Sequence, residues 1–185
     1  MRFDAIVLAG GAARRLGGAD KAMLDVAGTP MLTRVVDAVS AAQRRVVVGP
    51  LRPIERDVTW CQETPPGGGP VAALAAALPL TRADVLVVLA ADLPWIAPAV
   101  RPLLIAMHGP VDVAMLAAAS RVNYLAAAWR RRAMTEALAR VGDPVAVSMR
   151  ALVAGTTVAE VADPGWGDDC DTWTDLARHR SRSAR

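Results

Sequence analysis

The chain reads as an α/β protein, a three-layer α/β/α sandwich around a mostly parallel sheet, on three observations. Short apolar runs rich in β-branched residues alternate with helical-period segments through at least the first two thirds of the sequence, the pattern of strands joined by crossover helices. One run, residues 84–90, is almost continuously apolar, as expected of a parallel strand covered on both faces. The first run, Ala5-Ile6-Val7-Leu8, empties directly into a glycine-rich stretch, where open sheets of this class hold ligands.

The elements follow in order. Residues 5–8 are a buried strand by brevity and branching. Residues 22–26 are short and apolar, and Gly28-Thr29-Pro30 is a turn, with Thr29 as N-cap and Pro30 at the first helical position. Met31, Leu32, Val35, Val36 and Val39 keep a helical period to about residue 42. Residues 45–49 and 58–61 are strands. The alanine-rich stretch 71–80 is a buried helix, 84–90 a strand and 97–107 a helix. Residues 111–116 form another strand, 134–141 and 145–153 helices, 156–161 a late strand and 172–178 a last helix. Arg130-Arg131-Arg132 reads as a solvated helix start or an anion-binding patch. No repeat or low-complexity linker divides the chain, so one domain is expected over residues 1–177, with 178–185 a frayed basic tail.

Composition excludes several classes. At 185 residues with 54% hydrophobic content the chain can bury a sizeable core. No apolar run reaches the ~18–20 residues of a membrane span, and the start lacks a signal-peptide pattern. The net charge of +3 becomes −1 once the four arginines of the tail are set aside, which argues against nucleic acid as a partner. Cys61 and Cys170 match no metal spacing, and a reduced, cytoplasmic setting is expected.

The chemistry concentrates in LAGGAARRLGGADK, residues 8–21. Gly10-Gly11 and Gly17-Gly18 expose backbone N–H groups with no Cβ to block an anion, and Arg14, Arg15 and Lys21 supply charge for a triphosphate. Five residues separate Gly11 from Gly17, and Ala22 follows Lys21, so this is not a Walker A loop. The dinucleotide fingerprint is absent too. A soluble Gly/Arg surface loop would share these features, but Lys21 is the only lysine beside twenty arginines. A compact ammonium can sit among phosphate oxygens as a point charge.

Two further sites stand out. Glu63-Thr64-Pro65-Pro66-Gly67-Gly68-Gly69-Pro70 places open backbone at the mouth of a helix, either a connector or a loop whose amides read a base or a phosphate. Asp92 ends the strand at 84–90; it is either an N-cap of the next helix or a carboxylate ligand for Mg²⁺ beside a phosphate loop. Asp169 and Asp171 alternate about Cys170, so one of them points toward the cleft, while Asp175 suits the first turn of a helix.

With PPGGGP, AADLP and the late DCDTWTDL, the loop resembles the nucleotidyltransferase family with a Rossmann-like, GT-A-like fold, and within it the MobA-like molybdenum cofactor guanylyltransferases. Leu8, Ala9, Gly10, Gly11, Arg15, Leu16, Gly17, Gly18, Asp20 and Lys21 fill that family's opening signature, Gly69-Pro70 its second motif and Asp92-Leu93-Pro94 its strand-end motif. Residues 123–129 and Ser148-Met149-Arg150 are similar to its later half. The resemblance implies transfer of GMP from GTP to the terminal phosphate of molybdopterin, with release of pyrophosphate. It implies Arg15, Lys21 and Asp92 as catalytic residues. The nucleotide would be bound by Leu8, Ala9, Gly10, Gly11, Arg15, Lys21, Glu63, Gly67, Gly68, Gly69 and Asp92. Mg²⁺ would lie on Asp92 with Asp169 or Asp171. Asn123, Tyr124 and Trp129 are candidates for the acceptor, and a cofactor-delivery protein would be a transient partner. Two departures bear on specificity. Ala13 stands where the family often has Ser, and Asp169-Cys170-Asp171-Thr172 where many members read Asn-x-Asn-Thr. The aspartate version is familiar from cytidylyltransferases, so another phosphorylated acceptor or base, or a non-catalytic GTP-binding module, is the alternative.

Overall fold

Strand β1 (Asp4–Leu8) is buried along its whole length and organises the sheet. In the computed structural model, which describes residues 1–11, 18–119 and 121–182, β1 pairs in parallel with β4 (Arg45–Val48) on one side and β6 (Val85–Ala90) on the other. The registers Leu8↔Val48 and Leu8↔Ala90 bring the C-terminal ends of all three strands level. β5 (Thr59–Cys61) adds in parallel beyond β4. On the far side β8 (Arg121–Arg130) runs antiparallel between β6 and β7 (Val113–Ala118), and β9 (Val158–Ala162) is parallel to β7. The order is β5-β4-β1-β6-β8-β7-β9. The chain crosses from one side of β1 to the other between β5 and β6, and such a reversal opens a crevice at the carboxyl ends of the strands.

Alternation along β1 sorts the layers. Ala5 and Val7 join Leu32, Val35 and Val36 of α1 (Met31–Ala38) and Leu103 of α3 (Ala97–Ala106) in one cluster. Ile6 and Leu8 join Val71 and Leu74 of α2 (Pro70–Ala77), Met134 of α4 (Arg131–Val141) and Leu152 of α5 (Met149–Val153) in the other. Period-two strands between two helical faces thus give the three expected layers.

Several local expectations are corrected. Thr29 is not a helix cap: it pairs with Val26 in a two-residue ribbon, β2 (Asp25–Val26) against β3 (Thr29–Pro30), and α1 starts at Met31. The helix expected over 145–153 shrinks to α5, because Ala146 takes a positive φ and Ser148 Oγ accepts the Ala151 N–H to start the helix afresh. The basic triplet divides: Arg130 ends β8 and donates to the carbonyls of Met107 and Gly109, while Arg131 opens α4. Residues 178–182 do not fray. They continue α6 (Trp173–Arg182), because His179 is buried and Arg182 donates to the Gly165 carbonyl.

Candidate functional site

The site forms where β1 and β6 end. Leu8 accepts the Ala91 N–H through its carbonyl, and Ala9 donates to Val48, so the glycine loop leaves β1 beside the segment that carries Asp92. A short 3-10 turn, Lys21–Met23, returns the loop to the sheet edge. It delivers Lys21 Nζ to two carboxylates at once: Asp92 Oδ2, and Asp171 Oδ1 at 2.5 Å. These three residues lie up to 150 positions apart in sequence. Burial pulls the Lys21 ammonium down, but Asp92 and Asp171 outweigh it and the net shift is upward from 10.5.

The acidic segment is built to meet Asp92. The Cys170 N–H donates to the Asp92 carbonyl at 3.2 Å. Asp175 Oδ2 accepts from the Asp171 N–H, the Thr172 N–H and the Thr172 hydroxyl, while Thr172 Oγ1 accepts the Asp175 N–H in return. This reciprocal cap fixes the start of α6, and the Thr172 hydroxyl bond holds the Asp175 carboxyl below its usual range. Cys170 is fully buried beneath, its thiol pushed up to about 11 by desolvation. Asp169 is directed elsewhere, its Oδ2 3.0 Å from the Arg121 guanidinium. Asp171 is therefore the acidic-segment carboxylate joined to Asp92. Two carboxylates converging on one cationic centre form a donor set that suits a hard divalent cation completed by phosphate oxygens.

Glu63 is buried to 7% exposure, and its Oε1 accepts the Gly67 N–H at 2.9 Å. The same oxygen lies 3.9 Å from where a Cβ on Gly10 would stand, so Glu63 lies between the triple-glycine loop and the first loop. Gly67 and Gly69 take positive φ, and the Gly68 carbonyl accepts the Ala146 N–H. Leu8, Ala9, Gly10, Gly11, Glu63, Gly67–Gly69, Lys21 and Asp92 thus share one end of the sheet; Arg15 lies outside the described residues.

A groove beside this end is lined by Pro70, Arg121, Asn123, Tyr124, Ser148 and Met149, with a volume of about 410 Å³. Tyr124 is half-buried at its wall. The Asn123 amide is engaged, donating to the Gly167 carbonyl and accepting the Leu125 N–H, so it ties β8 to the loop preceding Asp169. Trp129 is fully buried and cannot meet an acceptor.

Sequence reading missed three contributors. Arg52, Trp95 and His179 sit in no motif. Trp95 Nε1 donates to His179 Nδ1, and His179 Nε2 lies 3.1 Å from the Asp169 carbonyl, which anchors α6 behind the acidic segment. Only the tertiary fold brings Trp95 to His179, and Arg52 to Asp20 and Ala9.

Residues 5–160 match the model of the MobA-like NTP transferase domain. A probable molybdenum cofactor guanylyltransferase of Synechococcus elongatus is 40% identical over 105 residues, 52% of this chain and 54% of the relative. At this level the chain spans about half the length of the curated relatives it matches. A probable molybdenum cofactor guanylyltransferase of Natronomonas pharaonis is 26% identical over 194 residues, covering 96% of each. Among solved structures, the molybdopterin-guanine dinucleotide biosynthesis protein A of Archaeoglobus fulgidus superposes with a TM-score of 0.75 at 20% identity, covering 98% of both chains. That likeness establishes the fold as Rossmann-like.

Proposed function

This chain belongs to the MobA-like NTP transferase domain family, and from that premise we propose that it transfers GMP from GTP to the terminal phosphate of molybdopterin, releasing pyrophosphate. The observation that carries the proposal is the meeting of Lys21 with Asp92 and Asp171 at the sheet edge where the glycine loop emerges. The names of the relatives from Synechococcus and Natronomonas support the same reaction.

In this reading the acceptor's phosphate attacks the α-phosphorus of GTP in line. The attacking group is already an anion, so no covalent nucleophile is needed, and the protein acts by positioning and charge. The amides of Gly10 and Gly11, with Arg15, grip the departing pyrophosphate. Lys21 offsets charge developing at the α-phosphate. Asp92 and Asp171 would hold the divalent cation, Mg²⁺, whose charge neutralises the phosphates when it is bound. Leu8, Glu63 and the Gly67–Gly69 loop enclose the base. The groove walled by Tyr124 and edged by Asn123 lies beside this end of the sheet and takes the acceptor. A cytoplasmic protein with a transient cofactor-delivery partner is the corresponding setting; among the described residues no helix is long and apolar enough to cross a membrane.

Pyrophosphate release measured with each of the four NTPs, with and without molybdenum cofactor, tests the proposal. GTP turnover that requires the cofactor is expected. Turnover with CTP instead would reassign the base. Tight GTP binding with no pyrophosphate from any acceptor would leave only a binding module.

A further inference from the structure

Arg52 follows β4 by four residues and buries its side chain to 9% exposure. A guanidinium gives up water for a matched set of acceptors, and these come from both ends of the glycine loop. Nε donates to Asp20 Oδ2 at 2.7 Å and Oδ1 at 3.0 Å, and Nη1 donates to the Ala9 carbonyl at 2.9 Å. Ala9 immediately precedes Gly10-Gly11, and Asp20 immediately precedes Lys21. Nη1 also reaches the Pro50 carbonyl at 3.3 Å, which fixes the guanidinium to its own turn. Gly49 presses the same segment against the loop: a Cβ there would lie 2.9 Å from the Ala9 carbonyl carbon and oxygen.

We propose that Arg52 is a positioning residue that fastens the entry and the exit of the phosphate loop to one point. The loop amides are thereby presented together to a triphosphate, while Lys21 keeps its own hold on Asp92 and Asp171. The inference rests on the phosphate-binding reading of that loop. Because Asp20 takes up its charge, Arg52 acts through the loop and not as a phosphate ligand. A gripped triphosphate is held alike in the ground and transition states, so losing the fastening weakens binding more than turnover. Lysine cannot replace it, since one ammonium cannot span Asp20 and the Ala9 carbonyl in a fixed fork.

The test uses the full chain as wild type, Arg52→Lys, Asp20→Asn and the double variant. It measures calorimetric binding of inorganic tripolyphosphate, GTP kinetics by pyrophosphate release, and the thermal midpoint. Each single variant is expected to weaken tripolyphosphate binding and raise the GTP KM about tenfold, with kcat within about threefold of wild type. The double variant should be no worse than either single, because both remove the same contact. The proposal is overturned if wild type binds tripolyphosphate and Arg52→Lys binds it equally, if the two effects add, or if kcat falls with KM unchanged. If wild type binds neither tripolyphosphate nor any NTP, the phosphate-binding reading itself falls and takes the proposal with it.

Discussion

Replacing Lys21 with Met removes the ammonium while keeping most of the stem's volume, and the site geometry gives the expected consequence. The Lys21 and Asp92 side chains are 19% and 22% exposed, so their contact belongs with charge-assisted hydrogen bonds worth about 1.5–3 kcal/mol. Asp171 is 46% exposed, and screening reduces its share to about 0.5 kcal/mol. A divalent cation entering between these carboxylates must displace the ammonium first. Without it, nucleotide-free protein should bind the cation more tightly by about 2–3.5 kcal/mol, roughly 30- to 370-fold. Titration with Mn²⁺, counting free ion by electron paramagnetic resonance, reads this directly; adding Asp92→Asn to the Lys21→Met variant should abolish the gain. The same Lys21→Met protein should lose about 10²–10³ in kcat, so tighter metal binding and slower turnover would appear together. If Mn²⁺ binds the variant no more tightly than the parent, the ammonium and the cation do not share these carboxylates.

Other perturbations separate the site from its surroundings. Asp171→Ala should lower kcat by at least about tenfold, whereas Asp169→Ala, which loses only an exposed pair with Arg121, should change it less than about twofold; equal losses would contradict the assignment. Gly49→Ala forces a side chain into positive φ and against the Ala9 backbone, and should cost about 2–4 kcal/mol in urea unfolding; a loss under about 1 kcal/mol would show that the close approach is relaxed at no cost. Because the Lys21 value is raised above 10.5 in the fold, its stabilising share is complete below the unfolded value and is lost only as pH rises through the higher folded one. The kcat/KM profile, which reports the free protein, should therefore show no limb from Lys21 between about pH 7 and pH 10, and a basic limb near pH 8 that disappears in Lys21→Met would refute this.

The layered fold was legible because its strands carry their burial in their composition. Ile6 and Val88 lie in almost wholly apolar runs that no amphipathic helix would tolerate. The convergence of Lys21 and Asp92 was legible for a different reason: the only lysine closes the glycine loop that leaves β1, and Asp92 follows β6 at the edge where a parallel sheet opens. Which aspartate of the late cluster joins them was not, since Asp169 and Asp171 have the same spacing relative to Cys170. The choice depends on the Cys170 N–H reaching the Asp92 carbonyl and on the Thr172–Asp175 cap. Arg52 was hidden because one arginine among twenty carries no signal. His179 was hidden because its burial arises from Trp95, more than eighty positions away. The antiparallel entry of β8 was likewise invisible, since Ala126–Ala128 would suit either direction.

The aspartate at 171 changes the charge balance that the site presents to a nucleotide. Two carboxylates brought this close repel each other, and the backbone holds them there: the β6 exit accepts from Cys170, and the α6 cap fixes Asp171 one residue on. Lys21 meets both carboxylates, and among these three side chains alone the formal charges sum to one negative. In the proposed reaction a divalent cation held there would add positive charge and favour phosphate oxygens, so cation and nucleotide binding would be coupled through the same two carboxylates. Where family members carry Asn at this position, the cluster would be neutral before the cation arrives, and its hold on the cation would be correspondingly weaker. On the proposed reaction, Asp171 would thus bear on how metal and nucleotide cooperate, whichever base is bound.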